Sequence, residues 1–568
     1  MKNAATLLTL CLLALQAAAA GGGGGKKMVE LSVSSPLAID AKCALARLLV
    51  EGKVTSPALL SQVEGFAARK GMFFPTAHLV TYYADIPKLV EKLMNRPAPT
   101  SQQFAAAVLA FTALGNYLET EKRTALSHMV SEDDGDAAEA TSKKKGGRKK
   151  KSAGEIAIPE ALFTNKTPAT VELAILAAAY AGDVEAKAQV DAVALPGGSI
   201  LGAKLLYYAR AGVPVADDQV AAALAPASHS APYITSVSPE LGDFELLLPK
   251  DAYACEALGL LKNSKNLKYL HQMLGHPDLR VQMEAVRALR KIGARESLPF
   301  LCAKLNACEW PVLVDLCVAL AAMPAKEAVP PLLAKLKKET GRFRLDVTYA
   351  LSAIAGEQIG QEFKEWEAWW AKQGATFQVN EAAAKAFRDR KRVQDIHVPD
   401  LGFFYSLRIY SDHFSYVVDS SNSMKGDKME NLQLNLCSSI DSLRPWVNFT
   451  ITDFGGVVSL MQRDALTRDK WLGKTRTKVL THSPGTRMYD AIEAAAGVKG
   501  VDTVLVLSDG QPVKGQLNAW PDLYRSMTIM NRHRQLAIST VAFQPSEKAV
   551  GVMKQMSHES RGQSVVAN

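Results

Sequence analysis

Five oxygen-bearing side chains in the last third of the chain have the types and spacing to do chemistry. Asp419, Ser421 and Ser423 occupy alternate positions directly after the apolar run 414–418, and Thr486 and Asp509 follow in two later segments. A carboxylate and hydroxyls so placed offer the hard oxygen donors that a hard divalent cation takes, Mg²⁺ foremost. Ser and Asp also crowd into ordinary turns, where their side chains bond the local backbone, so Asp419 to Ser423 alone leaves a turn and a metal site both open.

The flanking segments narrow that choice. The uninterrupted apolar run Val504-Leu505-Val506-Leu507, which precedes Ser508 and Asp509, predicts a strand buried on both faces, as in a parallel sheet. Ligands of open parallel sheets gather at the carboxyl ends of strands, where Asp419 and Asp509 both fall. Thr486 sits in Ser483-Pro484-Gly485-Thr486. Periodicity further predicts a helix over 429–443, a hairpin of 447–453 and 457–461 turning at Gly455-Gly456, and a late strand over 536–543. Asp453 and Asp490 read as a strand-end residue and a first-turn helix residue, outside the site.

From Phe403 onward these segments resemble the von Willebrand factor A-type domain. Its metal-ion-dependent adhesion motif is Asp-x-Ser-x-Ser, then a Thr in a Gly-rich loop, then an Asp ending a strand. The resemblance implies a doubly wound, Rossmann-like α/β fold over 401–568. It also implies a bound Mg²⁺, or Mn²⁺ or Ca²⁺ in its place, with Ser421, Ser423 and Thr486 as inner ligands and Asp419 and Asp509 acting mostly through water. Neutral hydroxyls leave such a cation under-neutralised, so an Asp or Glu carboxylate of a protein partner can complete its shell. Two positions depart from the family pattern. Asn422 replaces a Gly, and Asn tolerates left-handed backbone. Pro484 replaces the first Gly of a Gly-Gly-Thr loop and stiffens the approach to Thr486.

Upstream the chain repeats itself. Ala257-Leu258, Ala288-Leu289, Ala319-Leu320 and Ala350-Leu351 recur every 31 residues, with Leu270, Leu301 and Leu332 and then Leu274, Leu305 and Leu336 in step. The segments 296–305 and 327–336 each carry a helix-opening Pro followed by apolar residues at helical spacing. Each unit is therefore a helix pair that buries its apolar face only by stacking on its neighbours, which defines an α-solenoid. The short period resembles compact HEAT-like repeats of bacterial proteins, clear over about 250–375 and degenerate over 157–250. Trp366, Trp369 and Trp370 share one helix face and are expected to cap the last repeat. The charged helical tract within 376–400 reads as a semi-rigid spacer holding the metal domain at a set distance.

The N-terminus bears on compartment. Lys2, the apolar stretch 4–15 and Ala17-Ala18-Ala19-Ala20 have the three parts of a secretory signal peptide over 1–20. Export to an extracytoplasmic place, periplasmic or secreted, is the expectation, with no transmembrane segment. Residues 36–130 pattern as a helical domain, and 131–156 as a disordered charged linker. The seven basic residues of 143–151 supply most of the formal net charge of +9, so that charge marks a tether more than a basic folded surface. Nucleic acid is not an expected partner of an exported chain. Beyond Cys11 the chain has six cysteines and no Cys-x-x-Cys pair, so zinc and thiol redox chemistry lack support.

Catalytic constellations are thin. Gly473-Lys474-Thr475 lacks the upstream Gly of a phosphate-binding loop, and there is no His-Glu-x-x-His helix or Gly-x-Ser-x-Gly elbow. His413 and His482 flank the candidate segments, as surface loop histidines often do. The expectation is a non-enzymatic binding or scaffold protein that captures an acidic group through the metal, with the repeats as a second interaction surface. A metal-dependent hydrolase and a structural solenoid with an inactive A-type domain are the alternatives.

Overall fold

The computed structural model describes residues 184–194, 198–224, 250–462, 465–510, 512–513, 531–545 and 547–567, with scattered positions elsewhere. The leader 1–20, the helical block 36–130 and the linker 131–156 lie outside the described residues.

The helical region opens with α1 (Lys187–Ala192), α2 (Gly198–Ala211) and α3 (Asp217–Leu224). Four helix pairs follow: α4 (Lys250–Leu261) with α5 (Leu267–Met273), α6 (Leu279–Ile292) with α7 (Leu298–Lys304), α8 (Trp310–Ala322) with α9 (Val329–Lys338), and α10 (Phe343–Ala355) with α11 (Phe363–Gln373). The first helices of successive pairs pack side by side, α4 on α6, α6 on α8 and α8 on α10, with α2 extending the row along α4. The 31-residue Ala-Leu series is the reason, since all eight of those side chains are buried at the helix contacts. Leu270, Leu301 and Leu332 form the matching buried row of the second helices. Prolines sit in the first turns of α7, α8 and α9, where the missing N–H costs little.

Trp366 is fully buried and its indole N–H donates to the Gly360 carbonyl at 3.1 Å. Trp369 and Trp370 close on Phe377, with ring centroids 5.2 and 5.9 Å away, so the aromatic stripe seals the end of the repeat stack. The following helix α12 (Glu381–Arg390) is not a spacer. Ala384 and Phe387, at i and i+3, are buried against α10, with Phe387 beside Tyr349, and Arg388 donates to the Ala321 carbonyl at 3.0 Å. The apolar stripe is two residues wide, enough to dock a helix whose composition otherwise reads as solvated.

The C-terminal region is a mixed α/β sheet in the order β5-β4-β3-β6-β7-β8, with only β4–β5 antiparallel. Its strands are β3 (His413–Asp419), β4 (Asn448–Phe454), β5 (Val458–Leu460), β6 (Thr503–Ser508), β7 (Ala537–Phe543) and β8 (Ser564–Ala567); a small β1 (Gly402–Phe404) and β2 (Leu407–Ile409) hairpin precedes them. Phe414, Tyr416, Val418, Leu505 and Leu507 face one way, into a core with Leu432, Leu436 and Ile440 of α13 (Asp427–Ser442). Val417, Val504 and Val506 face the other way, onto Ile492 of α15 (Met488–Ala496) and Met553 of α16 (Glu547–Glu559). Burial on both faces is what the unbroken apolar runs of β3 and β6 encode. Gly473-Lys474-Thr475 lies inside a helix, α14 (Lys470–Lys478), and forms no phosphate loop.

The two regions touch directly. Arg342, 3 % exposed, sends its Nη1 to the carbonyls of Asp502 (2.6 Å) and Gln535 (2.8 Å), while its guanidinium stacks over Phe343 and Trp310. Thr340 Oγ1 donates to Asp412 at 2.7 Å, and Gly341 beside it is at φ +65°, where an added Cβ would overlap the Asp412 carboxylate. Farther along the row, Arg532 pairs with Glu256 (3.0 Å) and Glu284 (3.1 Å), and His533 Nε2 meets the same Glu284 oxygen at 2.9 Å. Burial acts to raise the Glu256 pKa, but the Arg532 and Arg210 guanidiniums outweigh it and hold it at about 2. Glu284, Asp315 and Asp346 stand 31 residues apart, so the repeat register sets a row of buried acids against the α/β region.

Candidate metal centre

The carboxyl ends of β3 and β6 bring four of the five sequence-derived oxygens into one hydrogen-bonded chain. Asp419, fully buried, accepts from the Ser421 N–H at 2.8 Å and from Ser508 Oγ at 2.5 Å. Ser421 Oγ lies 2.8 Å from Ser423 Oγ, and Ser423 Oγ donates to Asp509 Oδ1 at 2.8 Å. Parallel pairing of β3 with β6 sets this convergence, because it aligns Val418 with Leu507 and so places the two following turns side by side. Residues 422–424 form one 3-10 turn with Asn422 outside the left-handed region, so Asn at this position needs no special backbone tolerance. Ser421 is 3 % exposed, a buried residue and not a surface turn hydroxyl.

The Thr486 loop joins from the side. Ser483 N donates to the Ser420 carbonyl at 2.8 Å, and its Oγ accepts from Gly456 N at 2.8 Å. Gly455 makes this approach possible, because a Cβ there would come 2.3 Å from Ser483 Oγ and 2.9 Å from the Ser420 carbonyl. The predicted Gly455-Gly456 turn thus shapes the site's edge as well as the hairpin. Thr486 is buried in this loop, and among the described residues its hydroxyl forms no hydrogen bond to the other four. Asp453 is engaged by Arg476 and by Ser420 Oγ at 3.4 Å, and Asp490 pairs with Arg487 at 3.5 Å. His413 stands at the opposite end of β3, bonded to Asp412 at 3.0 Å, and so does not flank the oxygen cluster; His482 is exposed beside the Ser483 loop.

Sequence reasoning missed Lys428. Its ammonium donates to Asp509 Oδ2 at 2.7 Å, against a carboxylate side chain only 2 % exposed. A signal was present: a lysine in the first turn of α13 opposes the helix dipole, which favours acids there, and a residue placed against that preference invites a search for a specific anion.

Burial pushes the Asp419 pKa up to about 6, with hydrogen bonds from Ser421 and Ser508 opposing and the nearby Asp509 adding to the rise. Among the described residues no three or more His, Cys, Asp or Glu side chains cluster to hold a metal, so any cation here depends on hydroxyls. The donor set fits Mg²⁺ in kind, since all its members are hard oxygens. The Ser421–Ser423 and Ser423–Asp509 oxygen separations are both 2.8 Å.

The architecture is that of a helical-repeat protein carrying a C-terminal mixed α/β sheet domain with parallel strands. Residues 250–316, from α4 through α7 into the first half of α8, match the family described as HEAT repeats. No curated protein matches the chain. Among the described residues, no helix is long and apolar enough to cross a membrane.

Proposed function

We propose that the chain is an extracytoplasmic protein-binding or scaffold protein whose α/β domain, of the von Willebrand factor A type, captures an acidic group of a partner through Mg²⁺. The carrying observation is the run of oxygens from Ser421 through Ser423 to Asp509, joined by two contacts of 2.8 Å. When bound, the cation would supply Lewis acidity and an open coordination position for a carboxylate. Ser421 and Ser423 would hold it through neutral hydroxyls, Thr486 would add a third from its loop, and Asp419 and Asp509 would balance its charge. HEAT repeats generally mediate protein interactions, and here the first-helix row holds the chain's own α/β domain, leaving other repeat surfaces for a second partner.

Lys428 favours a second reading, in which its ammonium balances Asp509 permanently and the domain acts without metal. Calorimetry of Mg²⁺ into wild type and Ser421→Ala separates the two. The first reading expects wild-type binding that weakens about tenfold or more in the variant, followed by partner capture that chelator abolishes. Indistinguishable heats in the two proteins would remove the metal from the site.

A further inference from the structure

Between the repeat row and the α/β domain lies a cavity of about 390 Å³ whose walls carry six cationic side chains and three carboxylates. Glu256 and Glu284 are already saturated: Glu256 takes Arg210 and Arg532, and Glu284 takes Arg287, Arg532 and His533. Arg287 also pairs with Asp315 at 2.9 Å. Two further cations line the same space from opposite sides, Lys291 from α6 and Arg561 from the segment between α16 and β8. Among the described residues the Lys291 ammonium makes no hydrogen bond or ion pair, and Arg561 reaches only the neutral amide of Gln535. Lys291 is exposed to solvent, yet desolvation by the surrounding protein lowers its pKa, with Glu256 and Glu284 opposing.

The lining holds six cations against three carboxylates, and the exposed Lys291 and half-buried Arg561 form no ion pair among the described residues, so the cavity wall favours an anion. Part of the lining is apolar, from the buried Met527, Ile538 and Met556. Cavities of this volume between domains, part apolar with a few convergent polar groups, suit small ligands. We infer that this interdomain cavity binds a small phosphorylated molecule, its phosphate held by Lys291 and Arg561. Guanidinium forks and ammonium groups recognise phosphate oxygens through charge-assisted hydrogen bonds, and a ligand gripping both sides would tighten the docking of the two regions. The site is separate from the oxygen cluster at Asp419 and does not depend on it.

Calorimetry with pyrophosphate on the full chain, at physiological salt and with chloride matched, tests the inference. The expected result is saturable binding with a Kd below about 1 mM, weakened at least tenfold in Lys291→Met and in Arg561→Met, and retained in Lys291→Arg. Unliganded Lys291→Met should melt at the wild-type temperature or above, because it discards a charge whose desolvation outweighs the attraction of Glu256 and Glu284. Absence of binding by wild type, or equal affinity in wild type and both methionine variants, would overturn the assignment.

Discussion

Replacing Arg342 by Met asks whether the repeats and the sheet are one folding unit. The guanidinium donates to two backbone carbonyls across the interface, at 2.6 and 2.8 Å, from a side chain 4 % exposed. Each such bond to a charged donor is worth roughly 1.5–3 kcal/mol, so about 3–6 kcal/mol of interaction is lost. Met restores roughly 1–2 kcal/mol through apolar contact with Trp310 and Phe343. The net expectation is a loss of about 3 kcal/mol, read as a lower midpoint in urea unfolding followed by circular dichroism. Asp346→Asn provides the contrast. Its carboxylate lies 3.8 Å from Arg342, receives no hydrogen bond, and has its pKa raised by burial despite that guanidinium. Removing a charge so poorly compensated should cost under about 1 kcal/mol. A loss below about 1 kcal/mol for Arg342→Met, or a larger loss for Asp346→Asn, would show that the carbonyl bridge does not hold the regions together.

Two further outcomes probe the electrostatics. Lys428→Met should strengthen Mg²⁺ binding by about tenfold in calorimetry, because the ammonium now held by Asp509 competes with the cation for the same carboxylate; unchanged or weaker binding would show that it does not compete. Burial raises the Asp502 pKa from 3.8 to about 6, so this residue's contribution to stability is full below about pH 3.8 and is lost as pH rises through 6. That contribution, up to about 3 kcal/mol, should disappear from the pH profile of urea midpoints in Asp502→Asn, and a profile identical to wild type would contradict the assignment.

Apolar periodicity was readable because every copy of a repeat must bury the same atoms. Ala257 and its three successors lie at helix contacts, and the unbroken runs of β3 and β6 are buried on both faces. The oxygen cluster was readable because its members follow strands whose ends a parallel sheet must align. What escaped depends on partners far away in sequence. Glu284, Asp315 and Asp346 keep the 31-residue register, and that recurrence of acids was visible, but nothing local identifies Arg532 and His533 as what Glu284 meets, or the Asp502 and Gln535 carbonyls as what Arg342 meets. The stretch 381–390 looked like a spacer because nine of its ten residues are charged or Ala, while docking is carried by Phe387 and the one buried alanine, Ala384.

The two ends of the sheet carry different burdens. At the amino end of β3 and β6, Asp412 is held by Thr340 and the Asp502 carbonyl by Arg342, so the repeats grip the domain by its base. The oxygen cluster begins at Asp419, six residues along β3 from His413, or roughly 20 Å at the rise of a parallel strand. Strands of that length separate the docked end of the sheet from the oxygen cluster. The ion pairs that fix the domain's orientation can stay closed while the carboxyl-end turns, shaped by the close approach at Gly455, meet a ligand. In the proposed function a partner at Asp419 and Asp509 would therefore approach at the end of the strands opposite the repeats, with the grip at the base fixing the direction in which the oxygens point.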